Sequence, residues 1–153
     1  MTGPSAIGKL LHLVFLSTRS LTLGARAAIT LDDGRIVLVR HTYAKGWTLP
    51  GGGVERGESA LQALHREIEQ ETRISLTAAP VLHGIFCNRR ASPRDHVLVY
   101  RCSATGPVPI LKPNLEIAEV AAFLPDALPA DLEPGTRARI TEIRTSSLPS
   151  EDW

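Results

Sequence analysis

The chain has 153 residues and a net charge of +1, with 43% apolar and 22% charged residues, which is ordinary usage for a globular domain. A chain of this length forms one domain and buries a sizeable core without disulfides or a structural metal. A net charge this small creates no strong electrostatic attraction to nucleic acid or to lipid head groups, so neither a nucleic acid polymer nor a membrane is expected as a partner.

Two cysteines, Cys87 and Cys102, stand in apolar surroundings. Their number and spacing fit neither a zinc site nor a disulfide framework. We interpret them as reduced thiols of the core, which is consistent with a cytoplasmic protein.

Residues 1–23 are predicted to form an amphipathic helical extension. Residues 7–16 are apolar apart from Lys9 and His12, and this run is about half the length that spans a bilayer. No small-residue cleavage site follows it. We expect the helix to pack on the domain or on a second subunit of a homodimer, with peripheral membrane attachment as the alternative.

Strand-like and helix-like patterns then alternate, which predicts a layered α/β domain over residues 24–145. Residues 25–31 and 36–39 flank an Asp-Gly turn and indicate a β-hairpin. A final helix is predicted at 136–144, and the polar tail 146–153 is expected to fray. Further strands are predicted at 47–49, 81–86, 96–101 and 120–124.

Residues 59–72 carry the clearest helical pattern. Ser59 and Gln62 fit a capping box at its start. The glycines at 51–53 predict a bend where the backbone approaches another group closely. The stripe expected to face the core consists of Leu61, Leu64 and Ile68.

Acidic side chains lie beside that stripe. Glu67 and Glu71 are four residues apart and share a helix face, with Gln70 on its edge. Like charges at this spacing repel, so the arrangement favours a cation between them, and carboxylate oxygens suit Mg²⁺ or Mn²⁺. Arg66 can pair with a glutamate and keep it ionised. On spacing alone, a solvated acidic face with ordinary ion pairs is an equal alternative.

The same stretch resembles the Nudix box, the pattern G, five residues, E, seven residues, R-E-U, one residue, E-E, one residue, G-U, where U is aliphatic. Residues 46–52 and 117–123 resemble the segments that flank the box, and the similarity covers roughly residues 24–144. Seven of nine defined positions match without a gap, namely Gly52, Glu58, Arg66, Glu67, Ile68, Glu71 and Ile74.

The resemblance implies a Nudix-type α/β/α sandwich around a mixed β-sheet. It also implies metal-dependent hydrolysis, with Mg²⁺ or Mn²⁺, of a nucleoside diphosphate linked to another moiety. The residues carried over as catalytic are Glu67, which also activates water, with Arg66 and Glu58 as the orienting pair. The residues carried over as metal ligands are Glu67, Glu71, Gln70 and the backbone carbonyl of Gly51.

Two positions depart from the pattern. Gln70 replaces a glutamate that usually binds metal, so one negative charge is lost. Arg73 replaces a glycine that turns left-handed, which costs roughly 1–2 kcal/mol and is offset by pairing with Glu69. The departure at Gln70 motivates an alternative function, a catalytically weakened nucleotide-binding or regulatory module on a Nudix scaffold.

Residues outside the box complete the expected site. Glu116 is the first choice for an additional metal ligand, against a solvated glutamate. Arg89 and Arg90 suit substrate phosphates, against a solvated cationic loop. Tyr43 is a candidate for stacking on a base of a small nucleotide-type substrate, whose identity the sequence does not name. No catalytic role is assigned to the histidines at 12, 41, 65, 83 and 96.

Overall fold

The computed structural model describes the backbone of residues 6–153 and the side chains of residues 7, 12 and 14–153. Residues 1–5 of the predicted extension lie outside the described part. In chain order the elements are α1 (Ala6–Thr18), β1 (Thr22–Leu31), β2 (Ile36–His41), β3 (Trp47–Thr48), β4 (Gly51–Gly53), α2 (Ala60–Thr72), β5 (Val81–Cys87), β6 (Asp95–Ala104), β7 (Ile117–Phe123) and α3 (Pro134–Thr145).

The strands form a mixed sheet in the order β3-β2-β1-β6-β5, in which β4 also pairs with β1 and β7 with β2. The central pair, β1 and β6, is parallel and runs in register from Thr22 opposite Asp95 to Leu31 opposite Ala104. The remaining pairs are antiparallel. The strands β1 and β2 form the predicted hairpin around the Asp-Gly turn.

Two apolar cores lie on opposite faces of the sheet. Leu64 and Ile68 of α2 pack against alternate β1 residues such as Ala27. On the other face, Ile140 of α3 packs with Leu38 of β2 and other side chains. Successive strand residues point to opposite faces, which is why one strand serves both cores. The predicted α/β/α sandwich around a mixed sheet is therefore confirmed.

Local signals at both ends of α2 act as expected. Ser59 accepts a hydrogen bond from the backbone N–H of Gln62, whose side chain accepts one from the Ser59 N–H, so the capping box is present. Arg73 ends the helix with φ 56° in the left-handed region and pairs with Glu69 at 3.2 Å. The expectation for Leu61 is wrong, because its side chain is 43% exposed and Ala63 is buried instead. Helical periodicity gives a side chain's angle around the axis, but it does not say whether the sheet extends beneath that turn.

The glycines at 51–53 form the short strand β4 rather than a simple bend, and β4 pairs antiparallel with residues 24–26 of β1. Gly51 has φ 140°, and a Cβ there would overlap the backbone of Ala25. Glycine is therefore required for the close approach of the two backbones, as its sequence position predicted.

The helix α1 presents apolar side chains to solvent where they are described, with Ile7 73% and Leu16 55% exposed. Packing of these side chains on the chain's own domain is thus not observed, and packing on a second subunit stays a prediction. Among residues 6–153, no helix combines the length and apolar character needed to cross a bilayer.

The expectation of a frayed tail at 146–153 is wrong. The backbone of the tail pairs with the end of β5, because Cys87 donates to the Glu151 carbonyl and Trp153 donates to the Cys87 carbonyl. The Arg139 guanidinium donates to the Asp152 carbonyl and to the Ser150 hydroxyl. Polar composition suggested fraying, but the partners that order this segment are distant in the sequence.

Candidate active site

A cleft of about 830 Å³ opens where the glycine strand β4 meets the N-terminal part of β1, and it carries charges of both signs. Its cationic side chains are Arg26, Lys45 and Arg90, and its acidic ones include Glu55, Glu67, Glu116 and Glu133. A concave site of this size with convergent charged groups is suited to a ligand that carries both charged and apolar parts.

Arg66 of α2 links two carboxylates beside this cleft. Its Nε and Nη2 donate to the two oxygens of Glu58 at 2.8 and 3.0 Å, a bidentate arrangement that fixes both groups. Its Nη1 donates to Glu67 Oε1 at 2.5 Å, and its Nη2 also donates to the Gly53 carbonyl at 3.0 Å. Arg66 therefore anchors Glu67 relative to the glycine strand.

The two carboxylates bound by Arg66 have opposite pKa shifts. Hydrogen bonds from Arg66 and from the backbone N–H of Glu55 lower the pKa of Glu58 to about 2, so it is ionised at neutral pH. Burial raises the pKa of Glu67, although the Arg66 guanidinium opposes this effect. Desolvation of a carboxylate favours binding of a cation, which restores the lost charge stabilisation.

Glu71 is held by two hydrogen bonds in a buried position. The backbone N–H of Gly51 donates to its Oε2 at 2.7 Å, and His41 Nε2 donates to its Oε1 at 2.8 Å. The side chains of His41 and Glu71 are only 5% and 3% exposed. An ionised carboxylate can only accept, so the hydrogen bond places the imidazole proton on Nε2.

The glycines leave space for these acids. A Cβ at Gly52 would overlap the Glu67 carboxylate, so the absence of a side chain creates the room that Glu67 occupies. The Gly51 carbonyl, expected from the sequence as a metal ligand, accepts a hydrogen bond from Arg26 Nη1 at 2.9 Å in this structure.

Glu116, from the loop before β7, joins this group. Ligand atoms of Glu116, Glu71 and His41 lie within 4.8 Å of one another. Gln70 is exposed and borders a neighbouring depression together with Glu71 and Glu116, and its Oε1 is 3.4 Å from Arg66 Nη1. The geometry thus brings Glu116 to the box acids and places Gln70 at their solvent side.

The predicted substrate residues are only partly brought together. Tyr43 lines the cleft with its ring centroid 5.0 Å from that of His41, and partial desolvation of its hydroxyl by the cleft, with the nearby Glu116 carboxylate adding to the effect, raises the pKa of that hydroxyl. Arg90 also lines the cleft. Arg89 is not among the described residues that line it, because its Nε is paired with Asp152 at 2.7 Å.

Comparison with known proteins agrees with this geometry. The sequence profile of the NUDIX domain matches residues 21–142, most of the chain. The chain belongs to the Nudix family.

Individual relatives and solved structures are consistent with membership. A putative 8-oxo-dGTP diphosphatase from Bacillus subtilis is 28% identical over 126 residues, covering 82% of each protein. An RNA pyrophosphohydrolase from Halorhodospira halophila is 39% identical over 51 residues, but the match covers 33% of this chain and 28% of that protein. The crystal structure of a MutT Nudix hydrolase from Burkholderia pseudomallei superimposes with a TM-score of 0.66 at 29% identity, covering 81% of this chain and 98% of that one.

The Nudix box residues of this chain fit a divalent cation. The carboxylates of Glu71 and, from outside the box, Glu116 lie within 4.8 Å of each other and of the His41 imidazole, and Mg²⁺ or Mn²⁺ accepts such oxygen donors. Glu67 is desolvated, and the glycine at 52 leaves its carboxylate room beside the backbone of β4. A bound cation would neutralise acids that otherwise face one another in a partly buried space.

Sequence reasoning missed several cleft residues, among them His41 and Arg26, which contact the residues of the Nudix box. His41 ends β2 and carries no motif, and only the pairing of β2 and β7 brings it to Glu71 and Glu116. Arg26 lies within a strand that reads as apolar, yet its guanidinium donates to the carbonyls of Leu49 and Gly51. A charged residue inside an apolar strand was the available signal for Arg26.

Proposed function

We propose that this Nudix protein is a metal-dependent hydrolase that cleaves a nucleoside diphosphate linked to another moiety. The observation that carries the proposal is the position of Glu116, which lines the cleft with Glu67 beside the β4 glycines and also lies within 4.8 Å of the ligand atoms of Glu71. The name of the Bacillus subtilis relative, putative 8-oxo-dGTP diphosphatase, supports the same reaction class.

In this proposal, Glu67, Glu71 and Glu116 hold Mg²⁺ or Mn²⁺, with the Gly51 carbonyl and the Gln70 side-chain oxygen as further ligands. The cation, when bound, neutralises charge on the diphosphate and polarises the bond that is cleaved. Phosphoryl transfer depends mainly on such neutralisation and on placement of the attacking water.

The protein's own groups then supply position and proton transfer. Arg66 and Glu58 are the orienting pair, because their hydrogen bonds hold the Glu67 carboxylate against β4. Glu67 accepts the proton of the attacking water, a role that suits a carboxylate which lines the cleft and is fixed by Arg66.

Cations and an aromatic ring are assigned to the substrate. Arg90, with Arg26 and Lys45, lines the cleft and attracts the phosphate oxygens. Tyr43, at the cleft rim and 72% exposed, is assigned to the nucleoside. Arg89, also expected to bind phosphate, would first have to leave Asp152, so we assign it a weaker contribution.

Hydrolysis assays with a matched pair of variants test the proposal. The panel contains nucleoside triphosphates including 8-oxo-dGTP, ADP-ribose, NDP-sugars and dinucleoside polyphosphates, each with a titration of Mg²⁺ and Mn²⁺. Glu71→Gln should lower turnover by about 100-fold or more, since even outer-shell changes cost 10–100-fold. Glu69→Gln, an exposed position on the same helix, is the control and should retain activity. Absence of hydrolysis across the panel would refute the proposal.

The departure at Gln70 supports a second candidate, a weakened nucleotide-binding or regulatory module. Its amide oxygen lies beside Glu71 and Glu116 but carries no charge. Gln70→Glu separates the candidates. A large gain in metal affinity and rate indicates a weakened enzyme, whereas tight nucleotide binding with no gain and no turnover indicates a binding module.

We also propose that the protein works in a reducing compartment, the cytoplasm. Cys87 and Cys102 are both free thiols, and burial raises the pKa of Cys102 to about 12, which keeps it protonated and unreactive.

We further propose a homodimer whose partner covers α1, because apolar side chains of this helix such as Ile7 and Leu16 are exposed. Sedimentation of the protein with and without residues 1–18 tests the dimer.

A further inference from the structure

A buried arginine holds the tail in place. The side chain of Arg139 in α3 is 2% exposed, and its Nε and Nη2 donate to both oxygens of Glu142 at 2.8 and 2.6 Å. Its remaining donors bind the Asp152 carbonyl at 2.9 Å and the Ser150 hydroxyl at 2.8 Å. The guanidinium also lies 3.9 Å from the centroid of the Phe86 ring. The end of the chain is therefore fixed by a polar cluster centred on the buried Arg139 guanidinium.

This cluster sets the position of Trp153. Its backbone N–H donates to the Cys87 carbonyl, and its indole Nε1 donates to Glu133 Oε1 at 3.2 Å. The indole packs on Gly135 so closely that a Cβ there would overlap the ring. Glu133 is also the N-cap of α3, so the indole N–H bonds to a carboxylate that two backbone N–H groups of the helix also hold.

Trp153 is one of the residues that line the active-site cleft, together with Glu133 and Asn88. Its ring belongs to the core on the α3 face of the sheet, whereas Glu67 and Glu71 come from α2 on the opposite face. Trp153 and Glu67 thus reach the cleft from opposite faces of the sheet.

We propose that Trp153 is a specificity residue whose indole packs against the nucleobase of the substrate, an inference that rests on the proposed function. An indole offers a broad apolar face, and base–aromatic stacking tolerates any base because each has a π-face. The acidic group beside the ring, Glu133, repels phosphate. The side of the cleft formed by Trp153 and Glu133 therefore suits the uncharged nucleobase rather than the diphosphate.

Tryptophan fluorescence tests the contact independently of turnover. The chain has two tryptophans, and Trp47 is 3% exposed in the core and does not line the cleft among the described residues. In the Trp47→Phe variant, emission comes from Trp153 alone. Addition of ADP should shift or quench that emission, whereas inorganic pyrophosphate, which has no base, should leave it unchanged. Calorimetry on the same samples establishes that each probe binds.

Steady-state kinetics test the role in specificity. Trp153→Ala should raise KM for the best substrate of the panel about 10-fold, within the range expected for loss of one base–aromatic stack, with kcat within about twofold. Trp153→Phe should recover most of the loss. Leu148→Ala, in the same tail and 91% exposed, is the control and should behave as the native protein. Circular dichroism of each variant separates unfolding from lost contact.

The outcomes distinguish this inference from the proposed function. Unchanged Trp153 emission with calorimetrically bound ADP, or an unchanged KM in folded Trp153→Ala, overturns the inference and leaves the hydrolase intact. A response of Trp153 to ADP without any hydrolysis overturns the hydrolase and leaves the base contact intact. If pyrophosphate alone changes the emission as ADP does, the indole faces the phosphates and the base assignment is wrong.

Discussion

His41 shows how much of the site depends on a single side chain. It joins Glu71 through a buried 2.8 Å hydrogen bond and lies within ligand distance of Glu116, yet it stands outside the Nudix box. A carboxylate that binds metal is usually oriented by such a partner, which reduces the number of positions that its oxygens can take. Because Gln70 brings no negative charge to the proposed metal site, we expect this orientation of Glu71 to contribute more of the metal affinity.

We expect His41→Phe, which keeps a ring beside Tyr43 but removes the donor, to raise the Mg²⁺ concentration for half-maximal activity about 10-fold. The measurement is hydrolysis rate against Mg²⁺ concentration for the variant and the native protein. His65→Phe on the exposed side of α2 is the control. An unchanged Mg²⁺ midpoint in His41→Phe would show that Glu71 is held adequately by the Gly51 N–H alone.

For single residues, the sequence indicated which side chains could act chemically, but it did not always indicate which other residues they contact. The box acids Glu58, Glu67 and Glu71 were found from spacing and resemblance, because helical periodicity places residues four apart on one face. His41 could not be found, since its proximity to Glu71 depends on pairing between strands distant in the sequence. Arg89 lies in a basic loop as expected, but its pairing with Asp152 depends on a tail that was expected to fray.

Among the elements, α2 connects the sequence to the site most directly. Its capping box fixes where it begins, its apolar residues fix which face is buried, and the acids Glu67 and Glu71 extend that buried face toward β4. Its end is less favourable. Arg73 occupies a left-handed conformation that glycine adopts without a steric penalty.

Replacement of Arg73 by glycine should therefore stabilise the protein by about 1 kcal/mol, because relief of the left-handed strain exceeds the exposed ion pair with Glu69. For a domain of this size the melting temperature should rise by roughly 2–4 °C, measured by calorimetry. Ser146→Gly tests the same effect at the end of α3, where φ is 53°. A lower melting temperature for Arg73→Gly would mean that the salt bridge contributes more than the strain costs.

Across the whole molecule, the tail and α3 depend on Glu142. Burial raises the pKa of Glu142, but hydrogen bonds from Arg139, His83 and the Ser150 N–H outweigh that effect, so its pKa is lowered. A carboxylate with a lowered pKa stabilises the fold above its unfolded pKa of about 4.3, and the contribution is lost as pH falls through the folded value.

Glu142→Gln should lower the melting temperature at pH 7 by roughly 6–12 °C, since breaking a buried ion pair costs about 3 kcal/mol or more. The difference from the native protein should narrow as pH falls below about 4.3, because the carboxylate binds a proton in the unfolded chain before it does in the folded one, whose pKa is lowered. Glu151→Gln, an exposed acid in the same tail, should show no such pH-dependent difference. A gap that stays constant down to pH 3 would contradict the role assigned to the Glu142 charge.

The layered architecture was predictable as a whole because strand and helix periodicities alternate along the chain. The residues that each face of the sheet contributes to the cleft could not be predicted, because composition does not reveal contacts between distant segments. The tail illustrates the difference. Its polar composition suggested disorder, whereas Arg139 and the end of β5 supply partners for its backbone.

The parallel pairing of β1 with β6 has a consequence for how the protein reaches its native state. Residues such as Ala25 and Leu98 pair across a long segment of chain that contains β4 and α2. Bringing the ends of this segment together costs conformational entropy, and that cost arises before the contacts between β1 and β6 can offset it. The glycine strand docks on β1 inside the same segment. Refolding should consequently be slow compared with that of a helical bundle, and the proposed metal site should form together with the native sheet rather than before it.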